Sequence, residues 1–119
     1  MNSLSLWFSR LKGTPVASIT ARELSSLLQN GKRPFILDVR QPEEFHLAHI
    51  ADARLVPLGQ LDAHLQALPT DREIICICAS GHRSVPAVRK LLASGRTARS
   101  LKNGMLAWQI AGLPVKRGS

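Results

Sequence analysis

From Ser18 onward, short apolar runs with strand character alternate with segments of helical periodicity, and this alternation restricts the chain more than anything else in it. Strand followed by helix, repeated along one chain, implies a mostly parallel central sheet with helices on both faces, that is, an α/β domain. Thr20-Ala21-Arg22-Glu23 has the form of a capping box and predicts a helix to about Asn30, stopped by Gly31. Phe35-Ile36-Leu37-Asp38-Val39 reads as a buried strand, and Pro42, tolerated in a first turn, opens a short helix. Ala53 to Val56 reads as a short strand, and Leu58, Leu61, Leu65 and Leu68 mark a helix ending near Pro69. Glu73 to Cys78 is the most strand-like segment. A helix follows over Ser84 to Ser94 with Val88, Leu91 and Leu92 facing inward, then a strand over Arg99 to Leu101 and a helix over Met105 to Ala111.

At 119 residues, 45% hydrophobic and 20% charged, the chain suffices for one domain with its own core. No apolar run approaches the roughly 18 residues of a membrane-crossing helix. The cysteines, Cys76 and Cys78, stand one residue apart on a strand, outside disulfide geometry, and free thiols suit a reducing, cytoplasmic location. A formal charge of +8 biases the surface toward anions, whereas 4% aromatics offer little stacking for single-stranded nucleic acid, so no DNA partner is expected. Leu4, Trp7, Phe8 and Leu11 share one helical face, with Arg10 and Lys12 nearby. Residues 1–15 therefore read as an amphipathic leader that docks on its own domain or a second copy, with contact to an anionic membrane surface as the alternative. Residues 16–119 read as the domain proper.

In such folds ligands bind where strands end and helices begin. The strand ending at Cys78 is separated from the helix at Ser84 by Ala79-Ser80-Gly81-His82-Arg83. Small residues and a glycine let this backbone curl so that its N–H groups form an anion nest, reinforced by the helix N-terminus. A cysteine at the mouth of that nest is expected to favour the thiolate and to meet an anionic substrate there. A lone cysteine would more simply end a buried strand, but the C-A-S-G-H-R-S string with its two basic side chains favours a nucleophile. Cys76, one repeat deeper on the same face, reads as a small core residue and not as a resolving thiol. Asp38 and Arg40 read as an ion pair steadying loops at a strand end, with Arg40 able to reach the site's rim. His46 and His64 are expected to face solvent, and Trp108 to pack. No His/Cys set has zinc spacing, so neither a metal nor an organic cofactor is expected.

These stretches, in order, resemble a single-domain rhodanese, a sulfurtransferase of the thiosulfate type. The resemblance runs from Ser18 to Val115 and rests on Asp38-Val39-Arg40, Pro42-Glu43-Glu44-Phe45, His49-Ile50, Ala53 and Pro57. It continues through Cys78 to Ser84, Leu101-Lys102-Asn103-Gly104-Met105, Ala107-Trp108 and Gly112-Leu113-Pro114-Val115. Ala48 and Asp52 stand where that family often has glycine, and Asn103 replaces the first glycine of a usual pair; asparagine tolerates a left-handed backbone. The resemblance implies that Cys78 takes a sulfane sulfur from a small anionic donor such as thiosulfate, or from a persulfide. It then holds a persulfide and passes the sulfur to cyanide, a thiol or an acceptor protein. It further implies that the N–H groups from Ala79 to Ser84 stabilise the sulfur, that His82 and Arg83 attract the donor's sulfonate, and that Glu44 and His49 brace the fold. A non-catalytic binding module of the same fold is the alternative, although such modules often lack the cysteine. A cysteine phosphatase, a more distant alternative, needs five residues between cysteine and arginine. Four separate Cys78 from Arg83, and Ser84 takes the arginine's place.

Overall fold

The computed structural model describes residues 15–119, so the leader reading lies outside the described residues except for Pro15. The described chain forms five strands, β1 (Ser18–Ile19), β2 (Phe35–Asp38), β3 (Arg54–Leu55), β4 (Ile74–Ile77) and β5 (Ala98–Leu101). The α-helices are α1 (Ala21–Gln29), α2 (Pro42–Leu47), α3 (Leu61–His64), α4 (Ser84–Ala93) and α5 (Gly104–Ile110). The strands make one parallel sheet in the order β1-β5-β4-β2-β3, so β4 is central and the two-residue strands lie at the edges.

β4 is apolar on both faces because both are covered, the arrangement a parallel sheet demands. Cys76 and Ile74 face one way with Leu37 and Val39, against Leu61, Ala87, Val88 and Leu91 of α3 and α4. Ile75 and Ile77 face the other way with Ile19, Ile36 and Leu101, against Leu24 of α1 and Met105 and Trp108 of α5. Each fully buried Ile contributes about 1.5–3 kcal/mol relative to exposure, so the central strand anchors both layers.

Thr20 caps α1 as expected: its Oγ1 accepts from Glu23 N–H at 3.1 Å and Glu23 Oε1 accepts from Thr20 N–H at 2.9 Å. Those hydrogen bonds hold the Glu23 carboxyl below its ordinary pKa. Trp108 is a packing residue whose Nε1–H donates to the Pro114 carbonyl at 2.8 Å.

Three expectations need correcting. The leucine-marked segment is not one regular helix: tight turns at Leu58–Gln60 and Leu65–Ala67 flank the single turn of α3. At three residues per turn, Leu58 eclipses Leu61 and Leu65 eclipses Leu68, so tightening aligns the leucines over the sheet. Leu92 does not face inward but is 49% exposed. The buried stripe of α4 runs through Ser84, Ala87, Val88 and Leu91, and one further residue turns Leu92 to the rim. His64 is half-buried, its ring Nδ1 lying 2.9 Å from the Gln60 carbonyl, whereas His46 is exposed. Strand β1 carries no apolar run and was not anticipated.

Candidate active site

Register brings the carboxyl ends of β2, β4 and β5 together, with Asp38 opposite Ile77 and Cys76 opposite Ser100. Cys78 lies just beyond β4, 1% exposed, at the base of the loop into α4. Its Sγ accepts from Gly81 N–H at 3.0 Å and lies 3.4 Å from Ser84 Oγ, the first residue of α4. Gly81 can bring its N–H back to the sulfur because its φ is +96°, a conformation costly for any residue with a Cβ.

The loop is held from behind by α5. Met105 N–H donates to the Cys78 carbonyl at 2.8 Å and Leu106 N–H donates to the Ala79 carbonyl at 3.0 Å. These N–H groups of the first helical turn have no partner within α5, so the loop satisfies them as they fix its carbonyls. The approach is close enough that a Cβ on Gly104 would collide with the Cys78 carbonyl and lie 2.8 Å from Ala79 C. Asn103, in place of the usual glycine, adopts the left-handed backbone at φ +59°, as does Asp52 at φ +65°. Ala48, by contrast, has φ −170°, extended backbone that needs no glycine.

The basic side chains of the loop differ in surroundings. Arg83 donates from both terminal nitrogens to the two Glu44 carboxylate oxygens at 2.7 Å each, a bidentate pair. That contact, above all, holds the Glu44 carboxyl at about 2 and raises the arginine's affinity for its proton. Glu44 Oε1 also accepts from Gln41 N–H at 3.0 Å, so one carboxylate ties the start of α2 to the sulfur loop. His82 is exposed, its Nδ1 2.9 Å from Ser80 Oγ. Asp38 and Arg40 form a buried pair at 2.8 Å, and the same guanidinium donates to the carbonyls of Ala48 at 2.7 Å and Glu44 at 3.3 Å. Arg40 is 5% exposed, so it supports the C-terminal turn of α2 from within and does not reach the rim. His49 stacks on Phe45 with ring centroids 3.8 Å apart and is likewise structural.

Burial pushes the Cys76 thiol up to about 12, with the neighbouring Cys78 adding to the effect, so it remains protonated within the core. Among the described residues, no three His, Cys, Asp or Glu side chains gather as metal ligands. Beside the loop is an open cleft of about 290 Å³, lined among others by Ser80, Gly81, His82, Val85, Ser100 and Lys102. Ser100 and Lys102 carried no role in the sequence reading. Their position at and after the end of β5, next to the strand bearing Cys78, is the signal that singles them out.

The described chain is thus a parallel α/β domain that buries a cysteine in a tight strand-to-helix loop, between a backbone N–H and a helix N-terminus. The rhodanese-like domain family matches residues 20–111, and the chain belongs to that family. It is 31% identical over 101 residues to a sulfurtransferase of Allochromatium vinosum, covering 84% of this chain and 94% of that protein. It is 36% identical to the HTH-type transcriptional regulator Rv0324 of Mycobacterium tuberculosis, over 90% of this chain and 48% of that protein. The chain thus spans about half the length of that relative. Among solved structures, the rhodanese-like domain protein from Staphylococcus aureus superposes with a TM-score of 0.79 at 33% identity, over 87% of this chain and 99% of that one. Among the described residues no helix is long and apolar enough to cross a membrane.

Proposed function

We propose that this chain is a sulfurtransferase that carries a sulfane sulfur on Cys78. The observation that carries the reading is the sulfur itself, held 3.0 Å from Gly81 N–H and 3.4 Å from Ser84 Oγ at the N-terminus of α4. In the first half-reaction the Cys78 thiolate attacks the outer sulfur of thiosulfate, or of a persulfide donor. The donor's S–S bond breaks, and sulfite or the donor thiolate leaves with the electron pair. In the second, cyanide, a thiol or an acceptor protein attacks the outer sulfur of the Cys78 persulfide, and Sγ leaves as thiolate. The cycle is redox-neutral and leaves the enzyme unchanged. With Arg83 paired to Glu44, Lys102 is the cation on the cleft best placed to attract a sulfonate, and the exposed His82 ring stands beside it as a hydrogen-bonding group. The similarity to a sulfurtransferase of Allochromatium vinosum supports the same chemistry. Ser84 in place of a phosphatase's arginine removes the clamp on a tetrahedral phosphate. We place the activity in the unit 16–119, in the cytoplasm.

Intact mass after incubation with thiosulfate tests the reading. The wild type should gain one sulfur that cyanide or a thiol removes, and Cys78→Ser should gain none. No adduct with any donor would leave the loop as a binding site of a non-catalytic module.

A further inference from the structure

Behind Cys78 a second buried serine extends the hydrogen bonding of the sulfur. Ser84 Oγ is 2.6 Å from Ser100 Oγ, and both serines are buried, at 0% and 3% exposure. Ser100 comes from β5, where its own N–H is taken up by the Ala17 carbonyl at 3.0 Å. Ser84 is the only hydrogen-bond partner of the Ser100 hydroxyl among the described residues. Sγ, Ser84 Oγ and Ser100 Oγ thus form a chain of three polar atoms that ends, among the described residues, at the cleft-lining Ser100.

A hydroxyl has one hydrogen to give and lone pairs to receive. When sulfur carries no proton, as thiolate or persulfide Sγ, Ser100 donates to Ser84 and Ser84 donates to sulfur. Every hydrogen in the chain then has an acceptor. When sulfur is a thiol that donates to Ser84, Ser84 turns to Ser100, and the Ser100 hydrogen then has no protein acceptor among the described residues. An unsatisfied buried donor is costly, so the chain favours the proton-free sulfur. We propose that Ser100 is a positioning residue that aims the Ser84 hydroxyl at Cys78 and so selects the proton-free state of the sulfur. This rests on Cys78 being the nucleophile and adds a residue from a different strand to its support.

The test compares Ser100→Thr with Ser100→Val, which share a shape and differ in the hydroxyl, by the rate of iodoacetamide labelling at Cys78 at pH 7. Thr should label within about twofold of the wild type, and Val about three- to tenfold more slowly, the scale of one cooperative hydrogen bond. With thiosulfate, kcat should fall with the labelling rate in Val while KM stays unchanged, because the relay acts on sulfur and not on the donor's anion. Thermal melts confirm folding, and Ser100→Ala replaces Val if the larger side chain does not fit. Equal labelling of Thr and Val would overturn the proposal. Failure of the sulfurtransferase reading is separate: wild type would take no sulfur from thiosulfate, yet the Thr and Val rates would still diverge.

Discussion

Gly104→Ala is the substitution whose cost the geometry defines most closely. Two effects act together. The residue has φ +54°, where a Cβ costs about 1 kcal/mol or somewhat more. The added carbon also meets backbone, not a yielding side chain: the Cys78 carbonyl, and Ala79 C and O at 2.8 and 2.9 Å. The loop must therefore withdraw from α5, weakening the bonds from Met105 and Leu106 N–H to the Cys78 and Ala79 carbonyls, about 1 kcal/mol each. The expected loss is about 3 kcal/mol, which in a domain of this size lowers Tm by roughly 10 °C. Gly95→Ala is the control, since Gly95 has φ +87° but nothing within 4 Å of its would-be Cβ. It should show the backbone cost alone, about 1 kcal/mol. Differential scanning calorimetry on both variants, with the persulfide assay on the same samples, separates the contributions. Gly104→Ala should lose sulfur loading even below its Tm, because the collision is with the carbonyl of Cys78, the proposed nucleophile, while Gly95→Ala keeps it. Equal melting of the two variants would refute the claim that α5 and the loop are in hard contact.

Asp38→Ala strands the Arg40 guanidinium without its counter-charge in a buried site, and denaturant melts should show a loss of about 3–5 kcal/mol. Glu44 is held at about 2 against an ordinary 4.5. Because its folded pKa is depressed, its contribution is full above about pH 4.5 and is lost as pH falls toward 2. The denaturation midpoint of wild type should therefore fall more steeply over that window than that of Glu44→Gln. Cys76, raised to about 12 from 9.0, stabilises the fold below pH 9, and that contribution fades as pH rises toward 12. In Cys78→Ser, thiol titration at pH 8 should count no accessible thiol in the native state and one after unfolding in guanidinium.

The helix–strand order was legible because periodicity reports which faces are buried, and β4, with both faces covered, left the strongest trace. The Thr20 capping box was legible because its bonds are local, three residues apart. Cys78 and its loop stood out because strand, small residues, glycine and helix follow one another directly in the chain. Contacts that depend on tertiary approach left no such trace. The Arg83–Glu44 pair spans 39 positions, and the Ser84–Ser100 bond depends on β5 lying beside β4. Strand β1, two residues long, exists because β5 offers it an edge, not because its sequence asks for one.

That same shortness matters at the sheet's open margins. Both outermost strands, Ser18–Ile19 and Arg54–Leu55, are two residues long, while the inner three have four each. An exposed strand is a template on which another chain can add, and two residues supply too few free N–H and C=O groups to seed such pairing. The domain therefore resists edge-to-edge aggregation by geometry, with its long apolar strands kept inside. A unit protected in this way can be present at high concentration, or joined to further domains, without its sheet recruiting its neighbours.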